Sequence, residues 1–326
     1  MFTNHQLAAR SHSLRSAHPA QLPIENARPG WRRCAALVSI AAALVLPLTS
    51  ACSSSSNDAA APSGQHSGAK APLFDALPAS VRKAGRINVG MELSTKPLAI
   101  YADDGKTPEG IDPDLAMAVG ALLGVKVNIE NIAFAQGIPA INTGRIDMYW
   151  TFTNDTPERR DQVDVVDFTQ NGQAVLLPAA NPKTIGSLDD LCGRTISIQS
   201  GSNNLDVANG QSDKCTSAGK AKVTVLQFDE LPQALLQLKG GRADALMTSY
   251  AIAGYYAKSD SSYTLMPGPP IGLTPAGVTF KKGNTALEQA LQQALQKLVD
   301  DGTYGKLFDK WGLSALQLKT ITINGR

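Results

Sequence analysis

Gly144-Arg145-Ile146-Asp147-Met148 and Gly241-Arg242-Ala243-Asp244-Ala245 carry the same punctuation, Gly-Arg-x-Asp, and each joins a helical stretch to a β-rich run. Ile138 to Asn142 reads as a helix stopped by Gly144, and Ile146 to Trp150 as the strand that follows. In the second copy Asp229 opens a helix as its cap, Gly240-Gly241 ends it after Lys239, and Ala243 to Met247 is the strand. Two similar α/β lobes would explain the echo. Each aspartate precedes the apolar part of its strand, so both read as structural rather than ligand-binding.

The same alternation extends in both directions. Arg86 to Met91 reads as a strand, and Asp112 as the cap of a helix with Pro113 in its first turn. Leu115, Val119, Leu122 and Leu123 give that helix its apolar face, Gly124 ends it, and Val125 to Ile129 is the next strand. Thr195 to Gln199 and Val223 to Phe228 are strands of the second set, and Leu287 to Asp300 is an amphipathic helix. Alternating β and α predicts a mostly parallel sheet covered by helices.

Composition narrows the function. The chain has 326 residues, 43% hydrophobic and 18% charged, with a formal charge of +2. Five arginines and one glutamate fall in residues 1–51, leaving 25 basic and 27 acidic residues beyond them. A body so close to neutral carries no electrostatic footprint for nucleic acid. All four histidines (His5, His12, His18, His66) precede the folded region, so the body has no histidine for a hydrolase triad or a zinc site. No cofactor is expected.

Arg32-Arg33, an apolar run from Cys34 to Leu48 and then Thr49-Ser50-Ala51-Cys52 describe an export signal. The run is shorter than the roughly 20 residues a membrane span needs. Cys52 after Ser-Ala looks like a lipobox cysteine, with Thr49 where leucine is common; the bland alternative is a plain secretion signal. Ser, Ala, Gly and Pro then dominate up to Pro72, a tether whose ~20 residues would span roughly 25 Å. Cys192 and Cys215 remain in the body, and in an oxidising compartment a disulfide is expected over two buried thiols. Such a closure stabilises by about 3 kcal/mol.

Ligands of open parallel sheets bind beyond the carboxyl ends of the strands. Glu92, Thr151-Phe-Thr-Asn154, Ser200-Gly-Ser202-Asn203-Asn204 and Thr248-Ser249-Tyr250 all fall there. They are mostly small and polar, and none pairs a nucleophile with a base. Gly201 to Asn204 leads into what reads as a short helix, whose backbone N–H groups suit an anion, although a simple turn would look the same. Arg159 closes Thr156-Pro-Glu-Arg159, a capped helix start just behind the polar loop, where a guanidinium can grip a carboxylate with two parallel bonds.

From Leu77 to Leu313 the chain resembles the family 3 solute-binding proteins of polar amino acid ABC importers. The stretches that carry the likeness are Gly110 to Ala116, Phe134 to Ala140, Thr143 to Asp147, Thr156 to Arg159, Val166 to Phe168, Gln199 to Ser202, Gly241 to Ala245, and Asp301 to Tyr304 with Trp311. The resemblance implies a type II periplasmic-binding-protein-like clamshell of two α/β lobes joined by hinge strands near Asn171–Leu176 and Pro267–Pro275. Residues 73–174 and 271–326 would form the first lobe and residues 175–270 the second, after a signal segment 1–51 and a tether 52–72. It implies a non-enzymatic, extracytoplasmic, lipid-anchored monomer that captures a small carboxylate-bearing solute for an ABC permease. Some relatives are dehydratases, so a cleft enzyme or a ligand sensor stands as the alternative. Arg159 is implied as the carboxylate site, with Glu92, Phe134, Thr151, Asn154, Ser202, Asn203 and Ser249 around it; a core phenylalanine is the competing reading of Phe134. Ser249 stands where relatives that bind α-amino acids usually carry an aspartate for the ammonium. Ser94-Thr-Lys-Pro-Leu98 replaces an aromatic wall, for which Tyr101 or Trp150 would substitute.

Overall fold

The computed structural model describes residues 71–180 and 185–326; the signal segment, Cys52 and the tether up to residue 70 lie outside the described residues. The leading half of the sheet has β1 (Arg86–Met91) parallel to both β5 (Lys126–Asn131) and β6 (Met148–Asn154). Between β1 and β5 the chain makes a small separate sheet of β2 (Ser94–Thr95), β3 (Ala99–Tyr101) and β4 (Pro108–Glu109). Two long strands then cross the molecule, β7 (Val163–Pro178) and β12 (Ile271–Lys281). The trailing half is built from β8 (Thr195–Gln199), β9 (Thr224–Phe228), β10 (Ala245–Ser249) and the short β11 (Tyr263–Leu265), and β13 (Gln317–Ile323) closes the chain. The resulting order is β5-β1-β6-β12-β7-β10-β8-β9, with β11 and β13 also on β7.

β7 serves both halves. Its first part pairs antiparallel with β12, from Val163 opposite Lys281 to Gln173 opposite Ile271. Its last residues pair with β10, from Gln173 opposite Ser249 to Leu176 opposite Leu246. One strand that is an interior member of two sheet halves makes two lobes joined by crossing strands, the clamshell expected from the sequence. Close approach there demands Gly277, whose added Cβ would sit 1.8 Å from the Val166 carbonyl oxygen.

Helices cover both faces: α1 (Ala79–Ala84), α2 (Ile111–Leu123), α3 (Gly137–Asn142), α4 (Pro157–Arg160), α5 (Asn204–Ser217), α6 (Leu231–Lys239), α7 (Tyr250–Ser259), α8 (Thr285–Asp300) and α9 (Thr303–Lys310). A main core runs from Val89, Leu115 and Phe168 to Leu295 and Phe308. A second core gathers Val175, Ile196, Ile198, Ala245 and Met247 with Cys215. Cys192 and Cys215 are bridged, with Cα atoms 5.5 Å apart, as expected.

The repeated Gly-Arg-x-Asp has one mechanical meaning. Asp147 accepts the Asn88 N–H at 2.7 Å and its own N–H donates to the Asn88 carbonyl, tying the start of β6 to β1. Asp244 does the same to Thr195, at 2.8 Å, tying β10 to β8. Both aspartates are structural, as read.

Several sequence expectations need correction. Asp112 does not cap α2: Gly110 occupies the cap position at φ 143°, and the Ile111 and Asp112 N–H groups donate to the Pro97 and Leu98 carbonyls. A side chain at Gly110 would collide with Leu98 at 2.1 Å, so backbone rather than Asp112 satisfies that helix end. Asp229 does not cap α6 either; Glu230 precedes it, and Pro232 removes an N–H a cap would bond. The helix after Asn203 is not short, running for 14 residues. Strand β13 went unread. It pairs with β7, where Gly325 and Thr322 donate to the buried Asp167 carboxylate at 2.9 and 3.0 Å.

Candidate functional site

A cavity lies where the carboxyl ends of β1 and β8 face each other. All eight residues expected at the ligand line it: Glu92, Phe134, Thr151, Asn154, Arg159, Ser202, Asn203 and Ser249. They come from both sheet halves. Strand-end placement needs one correction, because Thr151 to Asn154 continue β6 by pairing Thr153 and Asn154 with Gly277 and Ala276 of β12. Thr248 and Ser249 likewise stay in β10, opposite Ala174 and Gln173.

Glu92 follows β1 directly and meets Gln199, the last residue of β8. The Gln199 amide donates to both carboxylate oxygens at 2.8 Å, and Ser94 Oγ donates at 3.0 Å. Burial nevertheless raises the Glu92 pKa, the hydrogen bonds from Gln199 and Ser94 opposing it and the Glu230 charge adding to it. The equivalent ends of two equivalent strands thus form one bridge across the cleft.

Arg159 sits on the one-turn helix α4, where Thr156 Oγ accepts its N–H. Its guanidinium lies 5.5 Å from the centroid of the Phe134 ring and donates to the Gly201 carbonyl at 3.4 Å. Among the described residues it makes no ion pair. Burial lowers its pKa and the Asp206 charge pulls the other way, the state of a cation lacking a full counter-charge. Ser202, Asn203 and the mouth of α5 lie alongside. Glu158 and Asp206 border the same outer pocket.

The remaining expected residues are partly committed already. Asn154 spends both amide protons, on the Asn171 carbonyl at 2.8 Å and Thr274 Oγ1 at 2.9 Å, so only its carbonyl oxygen is open. Ser202 Oγ donates to the Gln199 carbonyl at 2.6 Å and accepts from Asn204. Ser249 Oγ caps α7 by accepting the Ile252 N–H, leaving its proton free. Asn203 precedes α5 without a side-chain cap bond.

Neither substitute aromatic reaches the cavity. Trp150 is turned into the core against Phe168, 5.9 Å away, and Tyr101 lies on the surface at 39% exposure. Leu98, Phe134, Phe152 and Ile252 supply the apolar walls instead. Thr95, Asn171 and Gln173 line the cavity without having been read from the sequence. Polar residues at alternate positions of an otherwise buried β7 are the signal that would have found Asn171 and Gln173.

A two-lobed clamshell with a cavity of mixed polar and apolar lining at its strand ends defines a binding protein of the periplasmic type. The chain belongs to the bacterial extracellular solute-binding proteins, family 3, whose model matches residues 87–314. It is 25% identical over 249 residues to arginine-binding protein ArgT of Corynebacterium glutamicum, covering 76% of this chain and 81% of that protein. It is 28% identical over 237 residues to the ABC transporter glutamine-binding protein GlnH of Bacillus subtilis, covering 72% and 83%. An ancestral arginine-binding protein solved with arginine superposes with a TM-score of 0.63 at 34% identity, over 70% of this chain and 98% of that one.

Proposed function

We propose that the chain captures an amino acid or close derivative by its carboxylate and delivers it to an ABC permease. The observation that carries this is Arg159, a half-buried guanidinium lining the cavity that makes no ion pair among the described residues, Asp206 supplying only a longer-range opposing charge. Phe134 stacks under it, and Ser202 and Asn203 offer further polar contacts. The amino group would face Glu92 and Ser249; betaine-like, opine-like and cyclic derivatives, which lack a primary ammonium, belong in the same panel. The lobes divide at 174/175 and 270/271, and β7 and β12 are the hinges about which they close. The arginine-binding and ABC transporter glutamine-binding relatives support amino acid capture and an ABC partner. Export, lipidation at Cys52 and a monomeric state complete the reading.

Binding is favoured over turnover. Glu92 is the single carboxylate among the described residues lining the cavity, and it stands without a partner acid or base. Isothermal calorimetry of the full chain against amino acids tests the reading. One solute should bind one to one, and Arg159→Ala should weaken it about 100-fold or more through loss of two charge-assisted hydrogen bonds. Unchanged affinity in that variant would remove Arg159 from the site.

A further inference from the structure

Asn171 lies on β7 at the crossing of the two long strands, opposite Thr274, and is 1% exposed. Its backbone carbonyl is taken by Asn154. Its side chain is not: neither Oδ1 nor Nδ2 finds a hydrogen-bond partner among the described residues, although the residue lines the cavity. A buried amide left unpaired is costly in both its donor and its acceptor. The neighbouring chemistry is neutral, with Gln173 and Thr248 on the same walls and a second unpartnered acceptor in Asn204 Oδ1.

We infer that Asn171 is a specificity-determining residue that selects a ligand with a carboxamide or ureido side chain. The inference rests on the proposed capture of an amino acid with its carboxylate on Arg159. Arg159 and Asn171 line the same cavity, so a ligand held by its carboxylate on Arg159 has Asn171 among the groups its side chain can meet. A carboxylate side chain brings acceptors only and would leave Asn171 Oδ1 unpaired. A guanidinium or ammonium brings donors only and would leave Nδ2 unpaired. An aliphatic side chain would leave both. A primary amide or a urea presents C=O and N–H side by side, matching both atoms of Asn171 at once. The charge inventory agrees: Arg159 is the one cation lining the cavity among the described residues, and Glu92, the one carboxylate, is already held by Gln199 and Ser94.

Calorimetric titration of the full chain with L-glutamine, L-asparagine, L-citrulline, L-glutamate, L-arginine, L-methionine and L-homoserine tests it. A carboxamide or ureido ligand should bind tightest, by about tenfold or more over the others, the worth of one well-made hydrogen-bonded pair. Asn171→Leu should erase that margin while methionine binding holds or improves, and Asn171→Asp should move the preference toward arginine. If the leucine variant does not fold, the aspartate variant carries the test. Glutamate, arginine, methionine or homoserine as the tightest ligand of the parent chain would overturn the inference and leave amino acid capture standing. So would an unaltered preference in the variants. Binding of none of the seven would overturn the inference, and silence of the betaine-like, opine-like and cyclic derivatives as well would overturn both.

Discussion

Asp147 and Asp244 occupy the same turn in two different lobes and make the same pair of backbone bonds, whereas the strands they fasten end in different residues. β1 delivers Glu92 to the cavity and β8 delivers Gln199. The scaffold is repeated and the chemistry is not. A carboxylate on one side and a carboxamide on the other can bridge the cleft, which two carboxylates could not do without sharing a proton. The lobes also differ in how they are fastened. The second is stapled by Cys192–Cys215, and the first is strapped by β13, where Thr322 and the following Gly325 donate to Asp167.

That difference can be broken from either side. Removing the staple with Cys192→Ala and Cys215→Ala opens a loop of 23 residues' separation and should cost about 3 kcal/mol in denaturant unfolding. Because Cys215 anchors α5, whose start carries Asn203, ligand affinity should fall with it. Retained stability after reduction would show that α5 is held by the second core alone.

The aspartate clamps come next in size. Asp147→Ala leaves the Asn88 N–H without its side-chain acceptor and should destabilise by about 1–2 kcal/mol. Asp244→Ala should cost less, since 41% of that side chain is exposed and water can replace it at Thr195. Equal losses, measured by urea unfolding, would mean that exposure does not separate the two copies.

The smallest effect is a pH dependence from two raised carboxyls of the first lobe. Burial, with the Asp164 charge adding to it, pushes Glu288 on α8 up to about 7. Burial pushes Asp167 up to about 6, opposed by the Gly325 N–H. Carboxyls whose folded pKa is raised hold protons that the unfolded chain has already released. Their contribution is therefore complete below the ordinary carboxyl range and is lost as pH rises toward 6 and 7. Glu288→Gln should raise the melting temperature by about 2–4 °C at pH 8 and leave it nearly unchanged at pH 4.5. A gain equal at both pH values would assign the effect to packing.

Much of this was legible beforehand. The Gly-Arg-x-Asp echo gave the two lobes, because a clamp between strands needs an aspartate at one fixed offset from the strand it starts. The cavity residues were legible because small polar residues cluster where strands end. Strand limits failed where pairing with the distant β12 prolongs β6, a contact with no local trace. Asp112 was misread because a backbone partner 14 residues earlier, Leu98, already served the helix end. β13 had a visible signal in Leu318-Lys-Thr-Ile-Thr-Ile323, but its partner lies about 150 residues upstream. Asn171 was read only as the start of a hinge strand, and its place at the cavity depends on which face of β7 lines it.

The central claim is that Arg159 holds a carboxylate. Its most direct test is calorimetric titration of the parent chain and Arg159→Ala with the tightest-binding amino acid and with the amine formed by removing its carboxyl group. The account predicts that the acid binds the parent at least about 100-fold more tightly than the amine, and that Arg159→Ala binds both equally weakly. An amine that binds the parent as well as the acid does, or a variant that still distinguishes them, would contradict it.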